Sequence, residues 1–432
     1  MKRFAVFNPE HDLALANGDA HYLAPRNIRE MAHDLAPLMD YLAWDTPWGW
    51  DAAVVSHLHK SGIPRQELPT DTMLAALRTR SERITAHHLL QQMLPLSVHL
   101  TGESYVCRSL DDIKTYATQH SHLLLKAPLS GSGKGLRHLN LNDNHPSSRR
   151  STSALTSTFK KIESWADALI HRHGYLTAEP YYDKVQDFAM EFIVADGQCH
   201  FIGYSLFTTD DHGRYDSNLL LSDADIEARL SEYIPRSVLH DVRHFVEAHC
   251  GLIVPTEWDT SRFPITFGID MMIVNDRGQQ STVDGQHPIR PDGNSQLRIQ
   301  NSAAQREQSQ ASWTSQVLRQ VLNYAEPARN LNAEHYNSKF KLHPCVEINL
   351  RANMGIIAHE VRHHLMAPEA TGIYRLTLFA DHAALAAFDE EQRALYPALY
   401  RNGLLVRGYH PLTSTEGNAR HLAYIIGGIT QL

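Results

Sequence analysis

The sequence predicts a protein of mixed α/β and α+β class, with a small N-terminal α/β domain followed by a larger α+β region. Short apolar runs alternate with amphipathic segments along most of the 432 residues, as expected where strands and helices alternate. A glycine-rich loop directly follows the leucine-rich run at 122–126. Late in the chain, residues 343–351 alternate polar and apolar side chains, which is typical of a half-buried strand.

The N-terminal region begins with an apolar run at 3–7, which we interpret as a buried strand. The polar segment Asn8–Asp12 follows it directly, at the position where ligands often bind in α/β units. An equally open alternative is that its side chains cap the next turn. An amphipathic pattern at 24–42 predicts a helix, and Ala52–Val55 predicts a second strand.

The remaining chain predicts further strands and helices. Predicted helices span 79–94, 110–118, 159–173, 223–233, 236–249, 312–324, 357–365 and 383–395. Predicted strands span 104–106, 122–126, 174–182, 188–194, 200–205, 266–274, 343–351, 404–406 and 423–426. The pair Asp196-Gly197 is typical of a tight hairpin turn between two strands. A polar section at 281–340 is either functional or loosely ordered.

The composition indicates an ordinary globular protein, with 43% hydrophobic and 20% charged residues. The net charge of -8 argues against nucleic acid as a partner. The four cysteines form no C-x-x-C pair, so a reducing compartment is favoured over a zinc ribbon or a disulfide framework. We find no signal-peptide pattern and no apolar run of about 18 residues, and therefore expect a cytoplasmic protein without a membrane partner. The oligomeric state is left open, a homodimer included.

The leucine-rich strand ends at Lys126 and leads into a loop with three glycines in five positions. Small residues let backbone N–H groups approach a ligand closely, and nearby lysines favour phosphate oxygens. The loop is not a P-loop, because Pro128 stands where the first glycine belongs and Gly135 stands where Ser or Thr belongs. A glycine-rich hairpin with solvated lysines is the open alternative.

Glu347, Asn349 and Arg351 are spaced by two on the predicted strand at 343–351, so their side chains share one face. Carboxylate and amide oxygens suit Mg²⁺, while a guanidinium group suits an anionic oxygen. Asp270 presents another carboxylate on an apolar strand. Taken singly, Glu347 fits an exposed strand face and Asp270 fits a turn-forming role. Together the residues favour a site for magnesium and phosphate.

The loop and this strand together resemble the ATP-grasp superfamily, from about residue 80 to about residue 360. The resemblance implies a pre-ATP-grasp-like domain followed by a two-lobed ATP-grasp domain that holds ATP between its lobes. The implied divisions are an N-terminal α/β domain at 1–80, a lobe with the phosphate loop at 81–178, a lobe with the hinge and metal-binding strands at 179–375, and a C-terminal extension at 376–432.

The resemblance also implies roles for individual residues. Asp270, Glu347 and Asn349 would hold Mg²⁺ or Mn²⁺, while Arg351 and Lys126 would act in catalysis. Arg83 would replace an upstream phosphate-binding lysine that many members carry. The nucleotide-binding residues that it implies are Arg83, Lys126, Ser130, Gly131, Ser132, Gly133, Lys134, the hinge Glu179, Pro180, Tyr181 and Tyr182, and the acids Asp187 and Glu191.

The activity implied by the resemblance is ATP-dependent ligation of a carboxylate to an amine or a thiol through an acyl phosphate. The partners would be small-molecule carboxylate and amine substrates or a peptide, and no residue pattern identifies them. A kinase that phosphorylates a small molecule on the same scaffold is the second interpretation.

A competing motif is His359-Glu360-Val361-Arg362-His363, which matches the H-E-x-x-H signature of zinc proteases. The longer H-x-x-G-x-x-H continuation is absent, because Met366 and Ala367 follow instead. A zinc hydrolase is therefore the less favoured alternative.

Overall fold

The computed structural model describes residues 2–130, 135–141, 152–209, 215–276 and 339–428, with the backbone alone for 152–158 and 161. The loop positions Gly131, Ser132, Gly133 and Lys134 lie outside the described residues, as does nearly all of the polar section 281–340 with its predicted helix. Within the described part of the chain, no helix is long and apolar enough to cross a lipid bilayer.

The described residues form a mixed α/β structure with antiparallel sheets, as the sequence predicts. The α-helices are α1 His11–Asn17, α2 Arg26–Leu35, α3 Ala52–Lys60, α4 Asp71–Arg80, α5 Arg83–Met93, α6 Leu110–Ala117, α7 Thr152–His173, α8 Asp223–Leu230, α9 Arg236–Ala248, α10 Met354–Leu365 and α11 His382–Leu395. The strands are β1 Tyr105–Cys107, β2 His122–Lys126, β3 Leu136–Asn140, β4 Leu176–Pro180, β5 Lys184–Ala195, β6 Gln198–Thr209, β7 Tyr215–Leu220, β8 Ile265–Asn275, β9 Phe340–Asn349, β10 Gly372–Leu378, β11 Leu399–Arg401, β12 Leu404–Pro411 and β13 His421–Gly427.

The smaller sheet has four strands in the order β1-β4-β2-β3, and each neighbouring pair is antiparallel. Leu123 and Leu125 alternate along β2 and are fully buried in an apolar core beneath α6 and α7. The predicted phosphate loop connects β2 to β3. Its two ends are held together by a hydrogen bond from the Ala127 N–H to the Gly135 carbonyl, 2.9 Å long.

The larger sheet has nine strands in the order β11-β12-β13-β10-β7-β6-β5-β8-β9. Phe188, Met190 and Phe192 alternate along β5 and are fully buried in the main apolar core. Because side chains alternate along a strand, Asp187 and Glu191 lie on the opposite face. That face of β5, β8 and β9 therefore carries the polar side chains.

The two strands predicted in the N-terminal region are wrong, because none of the described residues 2–80 forms a β-strand. Residues 3–7 belong to no strand, although the Val6 carbonyl accepts the Trp48 N–H at 2.8 Å. Ala52–Val55 begins helix α3 instead. The Asp51 carboxylate caps that helix by accepting the Val54 N–H at 2.8 Å, which offsets the strand preference of the two valines.

The helix predicted at 79–94 begins later, as α5 at Arg83, because residues 79–80 end the preceding helix α4 and Ser81-Glu82 separate the two. Glu82 has an extended backbone, with ψ of 147°, so the chain changes direction and α5 begins at Arg83. The Arg83 N–H donates to the Pro128 carbonyl at 2.9 Å. The break therefore brings the first residue of α5 against the start of the glycine-rich loop.

Candidate functional site

Lys126 connects the two sheets. It is the last residue of β2 and is 2% exposed. Its Nζ atom lies 2.5 Å from a Glu179 carboxylate oxygen on β4 and donates to the Val346 carbonyl on β9 at 3.3 Å. The strand before the glycine-rich loop and the late strand that carries Glu347 thus face one cleft.

Arg83 makes a second connection across this cleft. Its guanidinium lies 2.9 Å from the Glu347 carboxylate. The same side chain donates to the Ala127 carbonyl at 3.0 Å and lies 3.4 Å from the Ser130 hydroxyl. A buried guanidinium with several donors in fixed directions can hold carboxylate, carbonyl and hydroxyl groups at once. Arg83 therefore positions the start of the loop relative to strand β9.

The polar face of β5, β8 and β9 contains two cross-strand rows. In one row Asp270 pairs with Glu347, and in the next row Gly268 lies between Glu191 and Asn349. Directly paired residues in antiparallel strands project on the same face, with Cβ atoms about 5 Å apart. The Asn349 amide donates to the Asp270 carboxylate at 3.1 Å. The three predicted metal ligands, Asp270, Glu347 and Asn349, therefore lie together.

The carboxylates of this face lie in surroundings that disfavour their ionised form. Burial, together with the charge of the neighbouring Glu347, raises the pKa of Asp270 to about 7. Burial also raises the pKa of Glu191 to about 8, against the lowering effect of its hydrogen bond from Asn353. Crowded, buried acids are stabilised by a cation. Two carboxylates and one amide oxygen are hard donors, so these residues fit a divalent ion such as Mg²⁺.

Asn353 is a site residue that the sequence analysis missed. Its Oδ1 atom caps helix α10 by accepting the Ile356 N–H at 3.0 Å, and its Nδ2 group donates to Glu191 at 2.7 Å. A Cβ atom at Gly268 would lie 2.3 Å from the Asn353 amide nitrogen and 2.4 Å from a Glu191 oxygen. Glycine is therefore required between them. The signal was present in the sequence, because Asn353 continues the two-residue spacing of Glu347, Asn349 and Arg351.

Arg351 lies two residues beyond the end of β9 and pairs with Asp12 at the start of α1. Its Nη2 and Nε groups donate to the two Asp12 oxygens at 2.8 and 3.2 Å. Burial opposes ionisation of Asp12, but the Arg351 charge and hydrogen bonds outweigh it and lower the pKa of that carboxyl. This bidentate pair brings the N-terminal region to the same cleft.

The predicted hinge, residues 179–182, spans the end of β4. Glu179 is buried and its carboxylate is paired with Lys126, while Pro180 ends the strand. Tyr181 is 56% exposed and stacks on His122, with ring centroids 4.2 Å apart. Tyr182 contacts the buried His343 ring edge-to-face, with centroids 5.3 Å apart.

The two predicted acids that follow the hinge both lie on the polar face of β5. Asp187 forms an ion pair with Lys184 and has a raised pKa, chiefly because it is buried. Glu191 lies closer to the metal-ligand row, opposite Gly268. Of the predicted loop residues, Ser130 contacts Arg83.

Comparisons with known proteins give structural likeness alone. No family model matches the sequence, and no curated protein matches it. The fold is similar to an ADP complex of N5-carboxyaminoimidazole ribonucleotide synthetase, with a TM-score of 0.45 and 8% identity over 99% of this chain and 92% of that chain. It is similar to the Staphylococcus aureus N5-carboxyaminoimidazole synthetase complexed with ADP, with a TM-score of 0.43 and 10% identity over 99% and 94%.

A third similar structure is the Campylobacter jejuni biotin carboxylase-β-γ-ATP complex, with a TM-score of 0.43 and 10% identity over 92% of this chain and 74% of that chain. Identities of 8 to 10% and TM-scores of 0.43 to 0.45 are too low to support an inference about function. The residues of the cleft must support it instead.

Proposed function

We propose that this chain is an ATP- and Mg²⁺-dependent carboxylate–amine ligase of the ATP-grasp type. The observation that supports the proposal most strongly is the convergence of two distant sequence features. Lys126 and Arg83, at the glycine-rich loop, contact the strand that carries Glu347 and Asn349. A bound nucleoside triphosphate with its divalent ion requires a phosphate-binding loop and a set of oxygen donors that face one cleft.

In this proposal, the nucleotide lies between the two sheets. Lys126, Arg83 and Ser130 contact its phosphates, with the loop from Gly131 to Lys134 completing the cradle. The hinge from Glu179 to Tyr182 contacts the base, and Asp187 or Glu191 contacts the ribose. The proposed divisions remain 1–80, 81–178, 179–375 and 376–432, with the nucleotide between the second and third.

Asp270, Glu347 and Asn349 would hold Mg²⁺, or Mn²⁺ in its place. The ion, when bound, offsets the negative charge that develops during phosphoryl transfer. Asp270 and Glu347 supply the negative charge that retains it. Arg351 lies beside this set and is oriented by Asp12, so its guanidinium can contact an anionic oxygen of the reacting group.

The proposed reaction has two steps. A carboxylate oxygen of the first substrate forms a bond to the γ-phosphorus, the bond from that phosphorus to the bridging oxygen breaks, and ADP departs. The amine nitrogen of the second substrate then forms a bond to the acyl carbon, the carbon–oxygen bond to phosphate breaks, and phosphate departs with the amine proton. A thiol would replace the amine in the carboxylate–thiol variant of the reaction. This chain contributes placement and charge in a partly closed cleft.

A cavity next to the cleft is a candidate site for one of the two substrates. A cavity of about 400 Å³ is lined by Asp12, Leu13, Ile28, Met31, Arg420 and His421. Asp12 also lines the smaller cavity beside Arg83 and Glu347. Because one carboxylate borders both spaces, a substrate in the larger cavity would end near Arg351. The lining combines apolar side chains with Arg420 and Glu30, whose charged groups lie 3.9 Å apart, so the cavity suits an amphipathic substrate.

The test is ATP turnover with panels of carboxylic acids, amines and thiols supplied singly and in pairs. A ligase releases ADP and phosphate only when both substrates are present. With an acid labelled with ¹⁸O in its carboxylate, one labelled oxygen must appear in the released phosphate, because the acyl phosphate transfers it. A stable phosphorylated product without an amine would indicate a kinase instead, and unlabelled phosphate would contradict the acyl phosphate.

A further inference from the structure

A cluster of metal-ligating side chains lies outside the nucleotide cleft. Asp223 is the first residue of α8, and His359 and His363 lie one turn apart on α10. One ligand atom from each of the three lies within 4.8 Å of the others. The two histidines belong to the H-E-x-x-H sequence, which the proposed ligase function does not use.

The distances within this cluster suit a metal ion. The Asp223 Oδ2 atom lies 3.6 Å from the His359 Nε2 atom. Two ligands at bond lengths near 2.0–2.1 Å in a tetrahedral zinc site are about 3.3 Å apart. Neither ring nitrogen of His359 has a hydrogen-bond partner among the described residues, although its side chain is only 12% exposed. Each nitrogen faces a carboxylate oxygen, of Asp223 or of Glu360, at 3.6 Å, which is too long for a hydrogen bond. An ion between Asp223 and His359 would give Nε2 the partner that it lacks.

The surrounding backbone fixes two of the three ligands. A Cβ atom at Gly203 would lie 2.3 Å from the His359 ring and 2.9 Å from the Asp223 Oδ1 atom, so glycine lets both side chains approach β6. The Tyr204 N–H donates to that Oδ1 atom at 2.9 Å. The second Asp223 oxygen is thereby directed toward His359. The site is positioned before any ion binds.

Glu360 occupies the other side of the His359 ring. One of its oxygens lies 3.6 Å from the His359 Nδ1 atom, and the other lies 3.2 Å from the His364 Nε2 atom. A carboxylate behind a metal-binding imidazole orients the ring and raises its basicity. In this arrangement Glu360 faces Nδ1, opposite the nitrogen that faces Asp223, so it is not directed at a metal-bound water.

We propose that Asp223, His359 and His363 form a site for one transition-metal ion, zinc in preference, that joins the start of α8 to α10. The ion has a structural role, and Glu360 orients a ligand instead of acting as the base of a hydrolase. Two imidazoles and one carboxylate suit zinc better than Mg²⁺, which prefers oxygen donors. The proposed site is independent of the ligase proposal, because it uses none of the nucleotide-cleft residues.

The test measures metal binding to the full chain after removal of metals with a chelator. Titration with Zn²⁺, in millimolar Mg²⁺ to occupy oxygen-donor sites, should give one bound equivalent by elemental analysis and calorimetry. With water as the fourth ligand beside the three side chains, Co²⁺ should give the visible absorption of a four-coordinate site. Asp223→Asn and His363→Ala should each weaken Zn²⁺ binding by more than about 100-fold, since even loss of a supporting carboxylate costs 10- to 100-fold.

The matched controls are His244→Ala, which removes an exposed histidine on α9, and Glu347→Gln, which alters the nucleotide cleft. Both should keep one tight zinc equivalent. Circular dichroism and thermal unfolding of each metal-free variant establish that it is folded. Absence of a stoichiometric zinc ion in the unaltered protein would overturn the proposal. Equal zinc affinity in folded Asp223→Asn, His363→Ala and unaltered protein would overturn it as well.

Discussion

The Arg83 guanidinium lies 2.9 Å from the Glu347 carboxylate, although 264 positions of sequence separate the two residues. Arg83 also contacts Ala127 and Ser130, at the two positions flanking Pro128-Leu129. A single side chain therefore connects the start of the glycine-rich loop to the strand with the proposed metal ligands. Any movement of the loop on nucleotide binding must be transmitted to, or resisted by, this contact.

Replacing Glu347 with alanine tests the proposed metal site. Glu347→Ala should lower ATP turnover by at least about 100-fold, because a ligand to the ion is lost. The side chain is 30% exposed, but its loss leaves the buried Arg83 guanidinium without a carboxylate partner, so the free energy of unfolding should fall by about 1–3 kcal/mol while the protein stays folded. Turnover is measured by ADP release and stability by urea unfolding.

The matched control for that change is Glu369→Ala, which removes a carboxylate paired with Arg401 on the surface. Its turnover should equal that of the unaltered protein. Undiminished turnover in Glu347→Ala would remove Glu347 from the proposed metal site.

Two variants at Lys126 separate its contribution to stability from its contribution to nucleotide binding. Lys126→Met leaves Glu179 buried without its partner, so we expect a loss of about 3–5 kcal/mol in the free energy of unfolding. The double variant Lys126→Met with Glu179→Gln removes both charges and should regain most of that stability. ATP affinity, measured by calorimetry, should stay low in both variants. Restored affinity in the double variant would show that Lys126 does not contact the phosphates.

Local sequence patterns predicted the elements that local interactions determine. The hairpin at Asp196-Gly197 is confirmed, and both residues have positive φ, 50° and 75°, as the turn requires. The alternation at 343–351 correctly indicated a strand that places Glu347 and Asn349 on one face, although β9 ends at Asn349. The assigned roles of these residues stay predictions.

Strands β3, β7, β10 and β11 were not predicted, and for β7 the reason is that polar groups decide the structure. Strand β7 was missed because it buries Ser217 and Asn218, whose side chains are satisfied by Thr208 and Ser205 at 2.7 Å. A hydrophobic pattern cannot detect a strand stabilised by such hydrogen bonds. The pairing of Arg351 with Asp12 spans 339 positions, and no local spacing encodes it.

The glycine at 268 should prove essential to the polar face of the larger sheet. Gly268→Ala would push a Cβ atom against Glu191 and Asn353, which are fixed by their mutual hydrogen bond. We expect a loss of roughly 1–3 kcal/mol in the free energy of unfolding, together with reduced ATP turnover. Chemical unfolding and ADP release measure the two effects.

Gly251→Ala is the matched control, because a Cβ atom at Gly251 meets nothing within 4 Å. Its free energy of unfolding and its ATP turnover should both stay near those of the unaltered protein. If Gly268→Ala behaves like this control, then Glu191 and Asn353 adjust freely and the close packing has no functional importance.

Asp34 should give the protein an acid-sensitive contact between α2 and β13. Its Oδ2 atom accepts the Arg420 and His421 N–H groups at 3.0 and 3.1 Å and lies 2.9 Å from the His421 ring nitrogen. Burial opposes ionisation, but these hydrogen bonds outweigh it and lower the pKa of Asp34. A lowered folded-state pKa gives stability that is present above the unfolded value of about 3.9 and lost as the pH falls through the folded value.

Asp34→Asn should therefore reduce the free energy of unfolding by about 1 kcal/mol near neutral pH, the difference between a charge-assisted and a neutral hydrogen bond. The difference between variant and unaltered protein should shrink as the pH falls below about 4, because the carboxyl of the unfolded chain is then protonated, and should vanish below the lowered native pKa, where the native carboxyl is neutral too. Urea unfolding across this pH range measures it, with Asp111→Asn as the control because that side chain is 87% exposed. A difference that stays constant down to acid pH would mean that Asp34 contributes by shape and not by charge.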